Sequence, residues 1–284
     1  MRDRPVLPQR RLKSAAVSTT SHLVLASGAL LMVFPFIWQA LTSVKTYGES
    51  ILVPPTILPE TWDLANYAEV FEVLPFGQMF VNTVLMTVGR TVAQLVFCAL
   101  AAYAFARLRF PGRDVIFVVF LSVLMVPGEL FLLPQFQIMS SLGWLNTLQA
   151  LIIPGMFNAF GTFLLRQYFL TLPVELDEAA ELDGCNPWRS FWHVTLPLAG
   201  PALVTLAVLA VLYSWNDLMW PLIVNTRQDA MTLTVGLATL QGDQITDYPV
   251  IMAGSVLATI PILIVFIVLQ RRVIEGIAFS GLKG

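Results

Sequence analysis

The chain has 284 residues, of which 57% are hydrophobic and only 12% are charged, with a mean hydropathy of +0.75 and a formal net charge of −2. A chain this apolar cannot cover a soluble surface, so its long apolar runs must face lipid. The composition therefore excludes an ordinary soluble protein and predicts an all-α, polytopic membrane protein. We expect no nucleic acid among its partners.

Six apolar stretches are long enough to cross a bilayer, since a spanning helix needs about 20 mainly apolar residues. The stretch from Val115 to Leu165 is too long for one span, and the turn residues at 140–143 divide it in two. Pro127-Gly128 is a candidate break within the third span. We predict a transmembrane domain at 22–272 between tails 1–21 and 273–284, with spans near 22–44, 77–106, 114–137, 147–168, 198–222 and 249–271.

Basic residues are concentrated on one side of these spans. They precede the first span, fill the turn after the second, flank the segment between the fourth and fifth, and end the chain. The opposite side holds only Lys45 and Arg227. Because short loops rich in Lys and Arg stay in the cytoplasm, both termini and the segment 169–197 are predicted to be cytoplasmic.

The segment 169–197 carries the clearest local signals. Pro173 suits a first helical position, and Glu175, Asp177 and Glu178 favour the positive end of a helix dipole. Gly184 fits the left-handed residue that closes a helix. We therefore predict a short helix from about 173 to 183.

A second, amphipathic helix is predicted directly after it. Asn186 is a good N-cap and Pro187 a good first residue, and this helix is expected to stop before Pro197. Its face is marked by residues at helical spacing, namely Trp188, Phe191, Trp192 and Thr195.

Two interpretations of the segment are open on local physics alone. The helices could be an inert connector that ties the fourth span to the fifth, with tryptophan side chains as interfacial anchors. Alternatively, Ala179 and Ala180 beside carboxylates could let another protein backbone approach closely. The residue types favour neither interpretation.

The segment resembles the EAA motif of the permease subunits of ATP-binding cassette importers. That motif has an EAA triplet, an acid-Gly pair, an apolar residue and a Leu-Pro-Leu stretch, matched here by Glu178, Ala179, Ala180, Asp183, Gly184, Phe191, Leu196, Pro197 and Pro201. Other stretches are similar to permeases of the carbohydrate-uptake branch, which is typified by the maltose and glycerol-3-phosphate permeases. These stretches are Asn66-Tyr67, Asn82-Thr83, 142–147, Trp215-Asn216-Asp217, Pro221-Leu222, Thr232-Leu233, Gln270-Arg271 and 281–284.

The resemblance implies a type I importer permease fold with a cytoplasmic coupling helix, in a bacterial-type cytoplasmic (inner) membrane. It implies four kinds of partner: a second homologous permease, two copies of a cytoplasmic ATP-binding subunit, an extracytoplasmic solute-binding protein, and a sugar or related carbohydrate. The expected ATPase-coupling residues are Glu178, Ala179, Ala180, Asp183 and Gly184.

The resemblance also assigns the chemistry to other subunits. This chain shows no Gly-rich phosphate loop followed by Lys-Ser/Thr, so ATP and Mg²⁺ are expected to bind in the ATPase subunits. The chain itself is expected to be a non-catalytic conduit without a cofactor or metal.

Polar and ionisable residues within spans are candidates for the solute pathway, because such groups are expensive in a membrane. Arg90 lies deep in the second span, and its alternative role is to pair with a neighbouring carbonyl or acid. Glu129 and Asp217 lie toward the outer ends of their spans. The pathway candidates, each of which could instead be helix-packing or interfacial, are Asn82, Arg90, Gln94, Asn158, Tyr213, Trp215 and Asn216.

Two other classes of protein are alternatives. A proton- or sodium-coupled carrier would place acids at mid-membrane and show topological repeats, and neither feature is clear in this chain. A membrane enzyme would concentrate a catalytic or metal-ligand cluster at one face, and the sequence shows none. Uptake that requires ATP would distinguish an importer subunit from a carrier.

Overall fold

The computed structural model describes the backbone of residues 9–241 and 246–281, and the side chains of residues 20–241, 246–268 and 270. The described backbone consists of helices, turns and loops, with no strand. The outer parts of the two predicted tails, 1–8 and 282–284, lie outside the described residues, as does most of the resemblance at 281–284.

The chain divides into two compact units, one formed by Met1–Val70 with Thr246–Val256 and the other by Phe71–Ile245 with Leu257–Gly284. The first unit holds helices α1 (Gln9–Thr42) and α2 (Tyr47–Ser50) and most of α3 (Ala65–Val73). Asn66 organises this unit, because its side-chain amide donates to the carbonyls of Ser43, Lys45 and Asp63 at 3.0, 2.9 and 3.1 Å. A single buried amide thus ties α3 to the chain that leaves α1.

The second unit contains most of the helices. They are α4 (Phe76–Arg107), α5 (Arg113–Ser122), α6 (Leu132–Ser141), α7 (Leu148–Ile152), α8 (Ala159–Thr171), α9 (Glu175–Leu182), α10 (Pro187–Ser190), α11 (Leu196–Leu198), α12 (Gly200–Trp215), α13 (Met219–Val224) and α14 (Leu233–Thr239). The last helix, α15 (Tyr248–Gly281), begins in the first unit. Short 3-10 turns lie at Val123–Met125, Gly128–Phe131, Ile153–Gly155 and Gln228–Ala230, and a π turn at Phe191–Thr195.

Helix α4 is the centre of the second unit and packs against α8 and α12. Small residues on α4, such as Ala99 and Ala102, let the neighbouring helices approach. The buried cluster at this junction consists of Cys98, Ala99, Ala102, Tyr103, Leu165, Phe169, Phe191, Ala199, Ala202 and Leu206.

Within the part of the chain that the structure describes, three helical stretches are individually long and apolar enough to cross a membrane, namely Thr20–Thr42, Phe76–Arg107 and Tyr248–Val268. They overlie the predicted first, second and sixth spans. Three bent pairs bring the total to as many as 6 if each pair is one span: Arg113–Met125 with Gly128–Ser141, Leu148–Gly155 with Ala159–Thr171, and Pro187–Leu198 with Gly200–Trp215.

The third and fourth predicted spans are not continuous helices. The region predicted as 114–137 bends by 99° between Met125 and Gly128, because Pro127 has no N–H to donate and disfavours a helical residue before it. The region predicted as 147–168 bends by 42°. There Asn158 starts a new helix, with its side-chain oxygen accepting from the Gly161 N–H at 2.6 Å.

The stretch predicted as the fifth span, 198–222, is not one continuous helix either. Helix α12 ends at Trp215, and Asn216 to Leu218 separate it from α13. The side-chain amide of Asn216 donates to the carbonyl of Leu212 at 2.8 Å, and its backbone N–H donates to the same carbonyl at 3.3 Å. An Asn that bonds the last carbonyls competes with continuation of the helix.

Gly161 lets α8 approach its neighbours closely. A Cβ at this position would lie 2.9 Å from Leu206 Cδ1, 3.1 Å from Asn158 Oδ1 and 3.2 Å from Cys98 Sγ. We therefore expect Gly161→Ala to destabilise the subunit by about 1–3 kcal/mol through overpacking, measured as a lower melting temperature in detergent. Gly28→Ala is the control, since no described atom lies within 4 Å of that Cβ position. Equal melting temperatures for the two variants would contradict the prediction.

Candidate functional site

Helix α9 ends in the motif that the sequence predicts. Gly184 has φ of +78°, and its N–H donates to the Glu181 carbonyl at 3.0 Å, while the Cys185 N–H donates to the Ala180 carbonyl at 2.9 Å. These are the two hydrogen bonds of a Schellman motif. The predicted left-handed closing residue is confirmed.

The helix itself is shorter than the predicted 173–183. It runs from Glu175 to Leu182, and in its first turn the Asp177 and Glu178 N–H groups both donate to the carbonyl of the capping residue Val174, at 3.0 and 3.2 Å. Pro173 lies before this turn, so it is not the first helical residue. Pro173 instead takes part in a tighter turn, in which its carbonyl accepts from the Leu176 N–H at 3.4 Å, and such turns are common at helix ends.

Helix α9 has an outer and an inner face. The outer face is exposed and includes Leu182, an apolar side chain that is 89% exposed. Of the predicted coupling residues, Ala180 is only 6% exposed and lies on the inner face. The other four lie together on the exposed side, namely Glu178, Ala179, Asp183 and Gly184.

The next helix begins as predicted and ends later than predicted. Asn186 caps it by accepting from the Arg189 N–H at 2.8 Å, and Pro187 is its first residue. Helical backbone then continues through the π turn and α11 to Leu198, so the predicted stop before Pro197 is wrong. The π turn widens the helix just before Pro197 and so accommodates a ring that would clash with an α-helical turn.

The π turn anchors the segment in the core of the second unit. Phe191 is 2% exposed, and its ring centroid lies 5.1 Å from that of Tyr103 on α4. Trp188 and Trp192 instead face outward and form an edge-to-face pair with centroids 5.8 Å apart. The predicted face is therefore divided between two buried residues, Phe191 and Thr195, and two exposed rings.

Arg90 joins three parts of the second unit. Its Nε donates to the Leu151 carbonyl at 2.6 Å, and its guanidinium pairs with the Asp217 carboxylate at 2.7 Å. The two side chains are 4% and 11% exposed. The alternative role predicted for Arg90 was to pair with a neighbouring carbonyl or acid. In the structure it pairs with one of each.

Four other pathway candidates are engaged in the framework of helices. Asn82 donates to the Asp229 and Met231 carbonyls at 2.9 and 3.0 Å. The remaining bonds run from Gln94 Nε2 to the Gly155 carbonyl at 2.7 Å, from the Gly161 N–H to Asn158 Oδ1, and from Trp215 Nε1 to the Ala258 carbonyl at 3.1 Å.

Asn146 fixes the loop that follows α13. It has φ of 60°, and its side-chain oxygen accepts from the Thr226 and Arg227 N–H groups, both at 2.8 Å. Arg227 also donates to the Asp229 carboxylate, and these hydrogen bonds hold the pKa of that carboxyl below its usual range. Within the stretch 142–147, Asn146 therefore has a structural role.

An open cleft of about 510 Å³ lies where the broken third and fifth predicted spans meet. The Arg90–Asp217 pair forms part of its wall, and Tyr213, which is 73% exposed, and Asn216 also line it. Among the seven pathway candidates, only Arg90, Tyr213 and Asn216 line this cleft. Glu129 and Gln135 line it as well. In the sequence, both residues follow the candidate break at Pro127, and this position is what could have pointed to them.

The bent helices, the open cleft and the exposed short helix define a helical subunit of a membrane transporter. The chain matches the family described as "Binding-protein-dependent transport system inner membrane component" over residues 94–277, and it belongs to that family. It is thus a multi-pass membrane protein and a permease subunit, as the resemblance predicted.

Named relatives agree with this membership. The chain is 37% identical to the arabinooligosaccharides transport system permease protein AraQ of Halalkalibacterium halodurans, over 97% of this chain and 100% of the relative. It is 32% identical to the sn-glycerol-3-phosphate transport system permease protein UgpE of Pectobacterium atrosepticum, over 92% and 95%.

A solved structure has the same architecture. A crystal structure of a bacterial ABC transporter involved in the import of the acidic polysaccharide alginate matches 95% of this chain and 99% of its own, with a TM-score of 0.80 and 26% identity. The comparisons support a non-catalytic ABC permease and not the alternative of an ion-coupled carrier.

Proposed function

We propose that this chain is one permease subunit of an ATP-driven importer that carries a sugar or related carbohydrate into the cytoplasm. The observation that carries the proposal is the geometry of α9, a short helix with an exposed outer face whose following turn is rooted in the core by Phe191. A helix held in this way can pass a displacement at the surface to the helices inside. The names of the relatives support the carbohydrate class.

The proposed orientation and partners follow from the charges and the family. Both termini and α9 are cytoplasmic, in the inner membrane of a bacterial-type cell. Two ATP-binding subunits, which hold ATP and Mg²⁺, dock beneath this chain and a second homologous permease, and a solute-binding protein delivers the carbohydrate on the opposite side. On this chain the ATPase contacts Glu178, Ala179, Asp183 and Gly184, while Ala180 supports that face from within.

The cleft is the part of the solute pathway that this chain contributes. The exposed Tyr213 offers an aromatic face to a sugar ring, and Gln135 and Asn216 offer polar groups that can bond hydroxyls. Because Asn82, Gln94, Asn158 and Trp215 bond backbone groups, their role is to hold the helices that shape the cleft.

The mechanism is a shift between two access states. ATP binds more tightly to the closed ATPase dimer, and this differential affinity supplies the bias that a ligand-driven switch requires. Closure carries α9 with it, and the adjoining helices α8 and α12 tilt, which exchanges inward for outward access to the cleft.

The test is transport by the purified complex. We expect this chain to copurify with an ATP-binding subunit, and proteoliposomes that contain the complex to take up solute only with ATP and the solute-binding protein. Screening that binding protein against sugars would identify the solute to use. Uptake that follows an ion gradient and persists without the ATPase would contradict the proposal.

A further inference from the structure

The inner face of α9 is joined to the end of α4 by an ion pair. Arg107, the last residue of α4, places its guanidinium 3.2 Å from the Asp177 carboxylate. The two side chains are 11% and 25% exposed. Asp177 thus points away from the exposed face that we assign to the ATPase.

Both members of the pair have a second partner. Arg107 also donates to the Leu172 carbonyl at 2.9 Å, in the linker between α8 and α9. The buried hydroxyl of Ser190 donates to the Asp177 carboxylate at 3.1 Å. Asp177 is therefore held from α4 on one side and from the residue before the Phe191 anchor on the other.

These contacts matter because α4 is not adjacent to α9 in sequence. Helices α8 and α12 connect to the segment 169–197 through the chain, but α4 meets α9 only through side chains and packing. Charge-assisted hydrogen bonds in a partly buried site are stronger and less screened than exposed ones. Helix α4 also carries Arg90, which lines the cleft.

We infer that Arg107 and Asp177 are positioning residues that transmit the displacement of α9 to α4, so that the cleft wall moves together with α8 and α12. The inference rests on the proposed function, because it concerns how the movement of the ATPase reaches the solute pathway. The hydrogen bond from Ser190 holds the Asp177 carboxylate in position for this link.

The test compares Asp177→Asn, which removes the charge at nearly constant shape, with Asp177→Glu, which retains it. In proteoliposomes that contain the full importer, we expect Asp177→Asn to leave copurification of the ATPase and ATP hydrolysis within about twofold of the parent. The number of solute molecules imported per ATP hydrolysed should fall by about fivefold or more. Asp177→Glu should restore most of that ratio, and Arg107→Gln should resemble Asp177→Asn.

Asp114→Asn is the matched control. Asp114 pairs with Arg113 at 3.0 Å and, at a longer 3.9 Å, with Arg166, but its side chain is 73% exposed and neither ion-pair partner lies on α9. This variant should keep the parent's ratio of solute to ATP.

Three results would overturn the link. They are an unchanged ratio in Asp177→Asn, an equal fall in Asp177→Glu and Asp177→Asn, and loss of assembly in Asp177→Asn, which would make the pair a structural contact. Failure of the proposed function is distinct, since the parent complex itself would then show no ATP-dependent uptake, and both ideas would fall.

Discussion

Replacement of Gly184 by valine is expected to leave the subunit inserted and assembled but to reduce solute-stimulated ATP hydrolysis and uptake by about tenfold. The reason lies in the backbone. Gly184 has φ of +78°, where an L-residue costs about 1–2 kcal/mol, and a cost of about 1.4 kcal/mol lowers the equilibrium population of a conformation tenfold. The chain would shift to relieve this strain, which would weaken the Cys185 N–H bond to Ala180 and displace Asp183.

Gly184→Asn is the control that separates backbone strain from added bulk. Asparagine tolerates the left-handed region, and no described atom lies within 4 Å of the Cβ position. We therefore expect Gly184→Asn to retain most of the uptake. Normal uptake in Gly184→Val would refute the importance of this turn, and equal losses in both variants would show that any side chain here blocks the partner.

Asp217→Ala is expected to lower the stability of the subunit by about 3–5 kcal/mol, because it leaves the buried Arg90 charge without its carboxylate. Arg90 would retain only its bond to the Leu151 carbonyl. Thermal unfolding in detergent and the amount of folded protein recovered from membranes would measure the effect.

Two controls test whether the loss of stability comes from leaving a buried charge unpaired. A double variant, Arg90→Met with Asp217→Leu, should be more stable than Asp217→Ala, because it removes both charges together. Asp229→Asn, which breaks the exposed pair with Arg227, should change stability little. If Asp217→Ala behaved like Asp229→Asn, the Arg90–Asp217 pair would not hold the helices together.

The sequence predicts those features of the molecule that depend on a few neighbouring residues. The apolar lengths indicated the first, second and sixth spans, and the left-handed Gly184 and the Asn186 cap were legible because each depends on a few neighbouring residues. The break at Pro127 was predicted as a candidate, but its bend of 99° depends on packing that the sequence does not show.

Long-range pairing was not predictable in the same way. The partner of Arg90 lies 127 residues away and that of Asn82 about 149, so the sequence left open whether these polar groups face solute or neighbouring helices. The inward direction of Ala180 and Asp177 depends on the rotation of α9 about its axis. That rotation is set by Arg107, Ser190 and Phe191, which lie outside the helix.

Cross-linking from two adjacent alanines tests most directly the central claim, that the ATPase docks on the outer face of α9. In a Cys185→Ser background, a cysteine placed at the exposed Ala179 or at the buried Ala180 would be labelled with a maleimide–benzophenone reagent, and the assembled importer would then be irradiated so that the reagent bonds to whatever protein lies beside it. The account predicts a cross-link to the ATP-binding subunit from Ala179→Cys and little from Ala180→Cys. Equal cross-linking from both positions, or none from Ala179→Cys in an active complex, would contradict it.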